Sequence, residues 1–322
     1  MIARRLPNNP IITAEMPGAD PEMRTNINGP SLIRVPDWVE NPLGQYYLYF
    51  AHHHGQHIRL AYADDLNGPW RIHEPGALHL EETHFVNHIA SPDAYIDHAR
   101  QQIRLYVHGM VTRPEQAQVQ PEIDEPMFRQ QRSRVAVSSE GLHFSEQPEI
   151  LAAAYLRVFD FKGMVYGITM PGLLYRSPDG LAPFERGPLL FGDDAQREAS
   201  FFPPGQPSIR HLAVLAEGEM LRVFYSRAGD QPECILMSAV DARSDDWHEW
   251  QHSPPQIILT PDEPYEGSDL PLKPSTRGSD LEPVRELRDP AVFQEDGRTY
   301  LLYSIAGEQG IGIAEILEQP TL

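Results

Sequence analysis

The chain alternates short runs of apolar, aromatic and β-branched residues with breaks rich in Gly, Pro, Asp and Asn. Runs of that kind predict strands, and no helical stripe of comparable strength is present. The runs recur in groups of three. The first group is GPSLIRV (29–35), QYYLYFAH (45–52) and IRLAYADDLNGPW (58–70). The second is SPDAYID (91–97), IRLYVHG (103–109) and RVAVSSEGLHF (134–144), and the third YLRVFDF (155–161), MVYGIT (164–169) and GLLYRSPDGLAPF (172–184). The fourth is IRHLAVL (209–215), MLRVFYSR (220–227) and CILMSAVD (234–241), and the fifth RDPAVFQ (288–294), TYLLYSI (299–305) and GIGIAEI (310–316). Turns at Asn67-Gly68-Pro69, Ser139-Glu140-Gly141 and Ser177-Pro178-Asp179-Gly180 close the third run of the first three groups. A fourth, edge strand is expected after each group.

Antiparallel units of three or four strands, repeated along the whole chain, are the pattern of propeller blades. The expectation is an all-β fold, one five-bladed β-propeller over residues 1–322, with units starting near Asn28, Ser91, Tyr155, Ile209 and Arg288. A β-sandwich with accidental self-similarity is the alternative. Residues 1–27 are expected to supply a strand that closes the ring against the last blade. Two polar, Pro-rich insertions, His108–Arg132 and Asp262–Leu287, interrupt the repeats. Loops of that length in a compact domain are often functional.

Composition narrows the function. Hydrophobic residues make up 41% of the 322, enough for a core, and the 31 prolines and 23 glycines suit many turns. A formal charge of −20 lacks the basic surface that non-specific binding to nucleic acid or an anionic membrane needs, so neither partner is expected. Cys234 is the single cysteine, which rules out an intrachain disulfide. No apolar run follows Arg4 and Arg5, and none reaches the roughly 18 residues of a membrane span. A cytoplasmic protein is the expectation.

In a propeller the first strand of each blade starts at one mouth of the central channel, and the second strand returns to it. Residues at those positions converge. They are Asn28 and His52-His53-His54 from the first unit, and His88, Asp93 and His108 from the second. The third gives Tyr155, Arg157 and Thr169, the fourth Arg210, His211, Arg227, Asp230 and Glu233, and the fifth Arg288, Asp289 and Glu308. This set suits a polyhydroxylated or anionic small molecule, with a small carbohydrate as the partner expected. Arg157, Arg210 and Arg288 either clamp a substrate through their planar forks or pair with Asp93 and Asp289 in a structural network. Asp93 and Asp289 each adjoin a proline at a strand start, where an Asp either caps a turn or does chemistry. Of His52, His53 and His54, at most two face the channel. No cofactor is called for with certainty. Imidazoles leave a bound metal ion at the mouth open, although HHHGQH (52–57) matches no zinc signature and no HExxH occurs.

Gly29-Pro30-Ser31-Leu32-Ile33-Arg34 before Tyr46-Tyr47-Leu48-Tyr49, Ser91-Pro92-Asp93-Ala94-Tyr95, and Arg288-Asp289-Pro290-Ala291-Val292-Phe293 together resemble the five-bladed glycoside hydrolases of family 43 and its relatives in families 32 and 117. Ala61-Tyr62-Ala63-Asp64-Asp65-Leu66 with Gly68-Pro69-Trp70 adds to it. The resemblance implies glycosidase chemistry with an Asp base, a pKa-tuning Asp and a Glu acid at the starts of the first, third and fourth blades. Here those positions hold Asn28-Gly29, Ala154-Tyr155 and Ile209-Arg210-His211. An amide cannot take a proton from water. The expected catalytic set is therefore Asp93 and Asp289, one as base and the other tuning pKa or holding the sugar, with Glu198, Glu233 or Glu308 behind them. His211 would be the acid, as the resemblance to family 117 permits. Asn28, His53, His54, His88, His108, Tyr155, Arg157, Arg210, Arg227, Arg288 and Glu308 would bind substrate, and Tyr95, Tyr155 and Trp38 could stack on sugar faces. A non-catalytic carbohydrate-binding propeller and, behind it, a metal-dependent lyase or isomerase are the other readings.

Overall fold

The computed structural model describes residues 1–112, 115, 131–192 and 208–318. Their strands form five antiparallel sheets, each entered through its innermost strand. The first blade is Asn28–Arg34, Tyr46–Ala51, His57–Ala63 and Arg71–His79. The second is Val86–Asp97, Gln102–Met110, Gln131–Ser138 and Ser145–Glu146, with Ala152–Ala153 added to its third strand. Arg157–Phe161, Met164–Thr169, Leu173–Ser177 and Glu185–Leu189 make the third. The fourth is Ser208–Glu217, Met220–Ala228 and Ile235–Asp241, edged by Gln251–His252 and Gln256–Leu259.

The fifth blade has three consecutive strands, Arg288–Glu295, Arg298–Ile305 and Gly310–Leu317. Its outer strand comes from the other end of the chain. Ile2–Arg5 pairs antiparallel with 314–317, and Ile12–Thr13 pairs with 310–311. Hydrogen bonds along the last strand thus close the ring, as the repeat predicts. A second fastening lies near the axis, where the Ile27 N–H donates to Glu308 O at 2.7 Å.

Five apolar clusters fill the wedges between neighbouring blades. Tyr47, Tyr49, Ile58 and Leu60 pack on Ile89, Ile103 and Leu105 between blades one and two. Tyr106, Val135, Leu156 and Phe184 follow between two and three, and Ile168, Leu212, Val223 and Trp247 between three and four. Phe224, Ile235, Leu301 and Tyr303 lie between four and five, and Leu48, Phe50, Leu302 and Ile313 between five and one. Each wedge buries apolar area from two sheets, which fixes the blades around the axis.

The innermost strands share one irregularity. In blades one, two and five, pairing runs through Asn28–Ala51, Ala90–His108 and Arg288–Ser304, then resumes at Ser31–Tyr49, Asp93–Tyr106 and Ala291–Leu302. The skipped pairs are Gly29-Pro30, Ser91-Pro92 and Asp289-Pro290. In blade four the skipped residue is His211, between Arg210 and Leu212. Gly29, Ser91, Tyr155 and Asp289 all have positive φ, at 61°, 47°, 63° and 49°. For the three that carry a Cβ this costs about 1–2 kcal/mol each. Such strained bulges re-aim side chains and cluster at functional sites.

Candidate active site at the axial mouth

Gly29, Ser91, Tyr155, His211 and Asp289 therefore occupy one level around the axis, one per blade. A Cβ on Gly29 would stand 3.1 Å from Ser91 Cα, so the first two starts nearly touch. From there a circuit of contacts runs through every blade. The rings of His53 and His54 lie 5.0 Å apart, His54 and His88 5.9 Å, and His88 and His108 6.2 Å. His108 lies 3.9 Å from Tyr155, and Tyr155 lies 5.0 Å from His211. His211 Nδ1 meets Asp289 Oδ1, and Asp289 Oδ2 accepts from Ser304 Oγ at 3.0 Å. Glu308 completes the circuit, 3.6 Å from His53 Nδ1 and accepting from Arg288 Nη1 at 3.3 Å.

The two sides of this circuit differ in charge. On the side of blades one to three, burial disfavours protonated imidazole. It pushes His88 down to about 4, with the neighbouring His54 and His53 adding to the shift, and His108 well below its usual value. On the side of blades four and five, charges are buried in pairs. Arg288 is fully buried among Glu286, Asp280, Glu233 and Glu308. Arg210 donates to Thr276 O and Gly278 O, both at 3.1 Å, and stands 3.6 Å from Glu233 and 3.8 Å from Glu308. Burial raises Glu286 to about 7 against the pull of Arg288.

Protonation of the central pair follows from its surroundings. Burial alone would raise the Asp289 carboxyl, but the charge and hydrogen bond of His211, the charge of Arg210 and the Ser304 bond outweigh it. The carboxyl is held well below the usual range. Burial keeps His211 below its usual value despite the pull of Asp289. These two directions match a carboxylate beside a neutral imidazole at neutral pH, with a proton on Nδ1 facing Asp289 Oδ1. That tautomer leaves Nε2 with its lone pair.

The residues expected from the sequence separate into groups. Asn28, His53, His54, His88, His108, Tyr155, Arg210, His211, Arg288, Asp289 and Glu308 lie on or beside the circuit. Asp93 does not share the position of Asp289. It is the first residue after the bulge, two past Ser91, its Oδ2 accepting from Val158 N at 2.7 Å and its Oδ1 from Arg157 Nη1 at 3.3 Å. Arg157 also donates to Pro92 O. These two form a bridge between blades two and three, the structural-network alternative, rather than a free base and a free clamp. Arg227 is held by Asp230 at 2.9 Å. Trp38 donates to Ser139 O at 3.3 Å and Tyr95 to Asp160 at 2.8 Å, so their polar ends are spent on inter-blade packing. Glu198 and most of the 108–132 insertion lie outside the described residues. Among the described residues no group of three or more His, Cys, Asp or Glu is arranged to hold a metal ion.

Sequence reasoning missed Asn26, Asp280, Glu286 and Ser304. Asn26 donates to Glu308 through Nδ2 and accepts from His53 N at 2.8 Å through Oδ1. Asn26 and Glu286 each stand two residues before an inner-strand start, just outside the strands that begin at Asn28 and Arg288. That spacing was the available signal.

No family model matches the chain. An uncharacterised protein of Acanthamoeba polyphaga mimivirus is 34% identical over 332 aligned residues, covering 97% of this chain and 89% of the relative. Among solved structures, a family-43 β-xylosidase/α-arabinofuranosidase from a compost microbial metagenome, in complex with xylotriose, superposes with TM-score 0.61, covering 99% of this chain and 96% of that one. An α-L-arabinofuranosidase from Lactobacillus brevis gives 0.59 over 97% and 93%, and a Cellvibrio cellulosa α-L-arabinanase complexed with arabinohexaose 0.54 over 92% and 93%. All three are 14% identical to this chain. At that distance the likeness is one of fold, the five-bladed β-propeller of family-43 glycoside hydrolases.

Proposed function

We infer the function from two premises: the chain belongs to one family with the mimivirus protein, and it folds as the family-43 glycoside hydrolases do. On them we propose that it binds a small carbohydrate at the axial mouth and hydrolyses a glycosidic bond there. The observation that carries the reading is the His211–Asp289 pair, set by two backbone bulges in the ring of blade starts. Solved neighbours of the same fold hold xylotriose and arabinohexaose.

This reading gives the pair roles opposite to those expected from the sequence. Asp289 has both oxygens engaged and acts as the orienting carboxylate. It fixes the Nδ1–H tautomer and stabilises the imidazolium that forms. His211 Nε2 takes a proton from water as the water oxygen attacks the anomeric carbon and the bond to the leaving oxygen breaks. General-base help of this kind contributes about 10²–10⁴-fold. Two-carboxylate hydrolysis needs a second acid across the bond, and among the described residues no carboxyl is linked to the pair in that position. Glycosides whose leaving group departs without protonation, such as nitrophenyl glycosides, are therefore the substrates of choice.

The engagement of both Asp93 and Asp289 supports a second reading, binding without turnover. One experiment separates the two. Nitrophenyl glycosides are screened for product and, in parallel, for binding by calorimetry, with wild type and His211→Gln. Turnover lost in His211→Gln with binding retained supports hydrolysis. Saturable binding with no product from any glycoside supports the binding protein.

A further inference from the structure

The acceptors and charges at the mouth specify the kind of sugar it takes. The guanidiniums that looked suited to clamp an anion are already spent. Arg210 serves two backbone carbonyls and stands near Glu233 and Glu308, Arg288 is ringed by four carboxylates, and Arg157 is tied to Pro92 O and Asp93. With Arg157 and Asp93 cancelling, the carboxyl groups of Asp280, Glu233, Glu286, Glu308 and Asp289 outnumber Arg210 and Arg288. They still do so when Arg277, whose charge reaches Tyr155, and His53, whose charge lowers Glu308, are added. An incoming carboxylate or phosphate would meet this acidic excess, and Arg157, Arg210 and Arg288 among the described residues are not free to receive it.

Two buried acceptors on this side of the mouth are unmet. Asn28 is 2% exposed, and its Oδ1 is buried without a hydrogen-bond partner. It follows Ile27, whose N–H donates to Glu308 O at 2.7 Å, so it stands beside the acidic side of the mouth. Glu233 Oε2 is likewise buried without a hydrogen bond, its nearest guanidinium nitrogens at 3.4 and 3.6 Å. An unmet buried acceptor is costly, and a ligand that donates to it recovers that cost. An ammonium group is donor-only and cationic, which matches both the acceptors and the charge.

We propose that the mouth takes a glycoside bearing a free amino group and rejects acidic sugars. This rests on the carbohydrate-binding reading above and goes further by naming the sugar's charge. The amino sugar sits with its ammonium toward Asn28 and the Glu308–Glu233 side, and its ring against the neutral imidazoles of His88 and His108.

The test is calorimetry on the full chain with three trimers: chitotriose, its fully N-acetylated form, and trigalacturonate. Chitotriose is expected to bind at one site, about tenfold or more tighter than the acetylated trimer, with an advantage that narrows as salt is raised. Trigalacturonate is expected not to bind. Attraction to the acidic surface at large is separated by two variants. Asn28→Asp should shift the affinity ratio about threefold or more further toward the amine, and Asn28→Leu should shift it back. Equal or tighter binding of the acetylated or acidic trimer overturns the inference and leaves the carbohydrate reading standing. An affinity ratio unmoved in both variants, with their melting curves unchanged, overturns it too. Absence of binding to these trimers and to every xyloside and arabinoside overturns both.

Discussion

Blades two and five start with nearly the same residues and use them differently. Ser91-Pro92-Asp93 and Asp289-Pro290-Ala291 occupy the same three positions of the same bulge. In blade five the aspartate is the positive-φ residue before the proline, and the bulge turns it to His211 at the axis. In blade two serine holds that place, and the aspartate comes two residues later, where the strand has resumed its pairing. Alternation and pairing then direct it to blade three, onto Val158 N and Arg157. The backbone position, more than the residue type, decides whether a carboxylate belongs to the site or to the scaffold.

The largest expected effect would break this comparison if absent. Asp289→Asn should lower turnover of a nitrophenyl glycoside by about 10²-fold or more, because an amide can hold the wrong imidazole tautomer. Sugar affinity, measured by calorimetry, should change little. Asp93→Ala should do the opposite. It strands the buried Arg157 guanidinium and should destabilise the fold by about 3–5 kcal/mol in urea unfolding, while turnover per folded molecule stays near wild type.

A third prediction sharpens the contrast through pH. In Glu308, burial would raise the carboxyl, but the charge and hydrogen bond of His53, with Arg288, bring it from 4.5 to about 2. A carboxyl lowered in the folded state stabilises above its unfolded pKa, and that contribution is lost as pH falls through the folded value. Wild type should therefore lose stability between about pH 4.5 and 2, and Glu308→Gln should be less stable near neutrality with a flatter acid limb. Urea midpoints measured across that range check it. The smallest effect is at Gly29, where φ is 61° and an added Cβ would press on Ser91 Cα at 3.1 Å. Gly29→Ala should cost about 1–2 kcal/mol by the same unfolding measurement.

Much of the architecture was legible in the sequence because each blade repeats one pattern, aromatic and β-branched runs closed by Gly, Pro and Asn turns. The closing strand was legible too, since residues 1–27 have no blade of their own and the fifth unit lacks an edge. The distinction between Asp93 and Asp289 was not drawn, although its signal was present. Proline follows the bulged residue, so Asp289-Pro290 places its aspartate in the bulge and Pro92-Asp93 places it after. Asp280 and Glu286 lie in the 262–287 insertion, outside the repeated strand runs, so no repeat could assign them to Arg288. The roles of His211 and Asp289 depended on which atoms meet and how deeply, and neither is written in residue order.

The central claim is that Asp289 holds a neutral His211 with its proton on Nδ1 and its lone pair on Nε2. Long-range ¹H–¹⁵N NMR correlations of the histidine side chains, with the His211 signals assigned through His211→Gln, measure this directly. The account predicts an Nδ1–H tautomer at neutral pH that weakens or inverts in Asp289→Asn and persists in Asp93→Asn. An Nε2–H tautomer, an imidazolium maintained above pH 7, or a His211 spectrum indifferent to Asp289→Asn would contradict it.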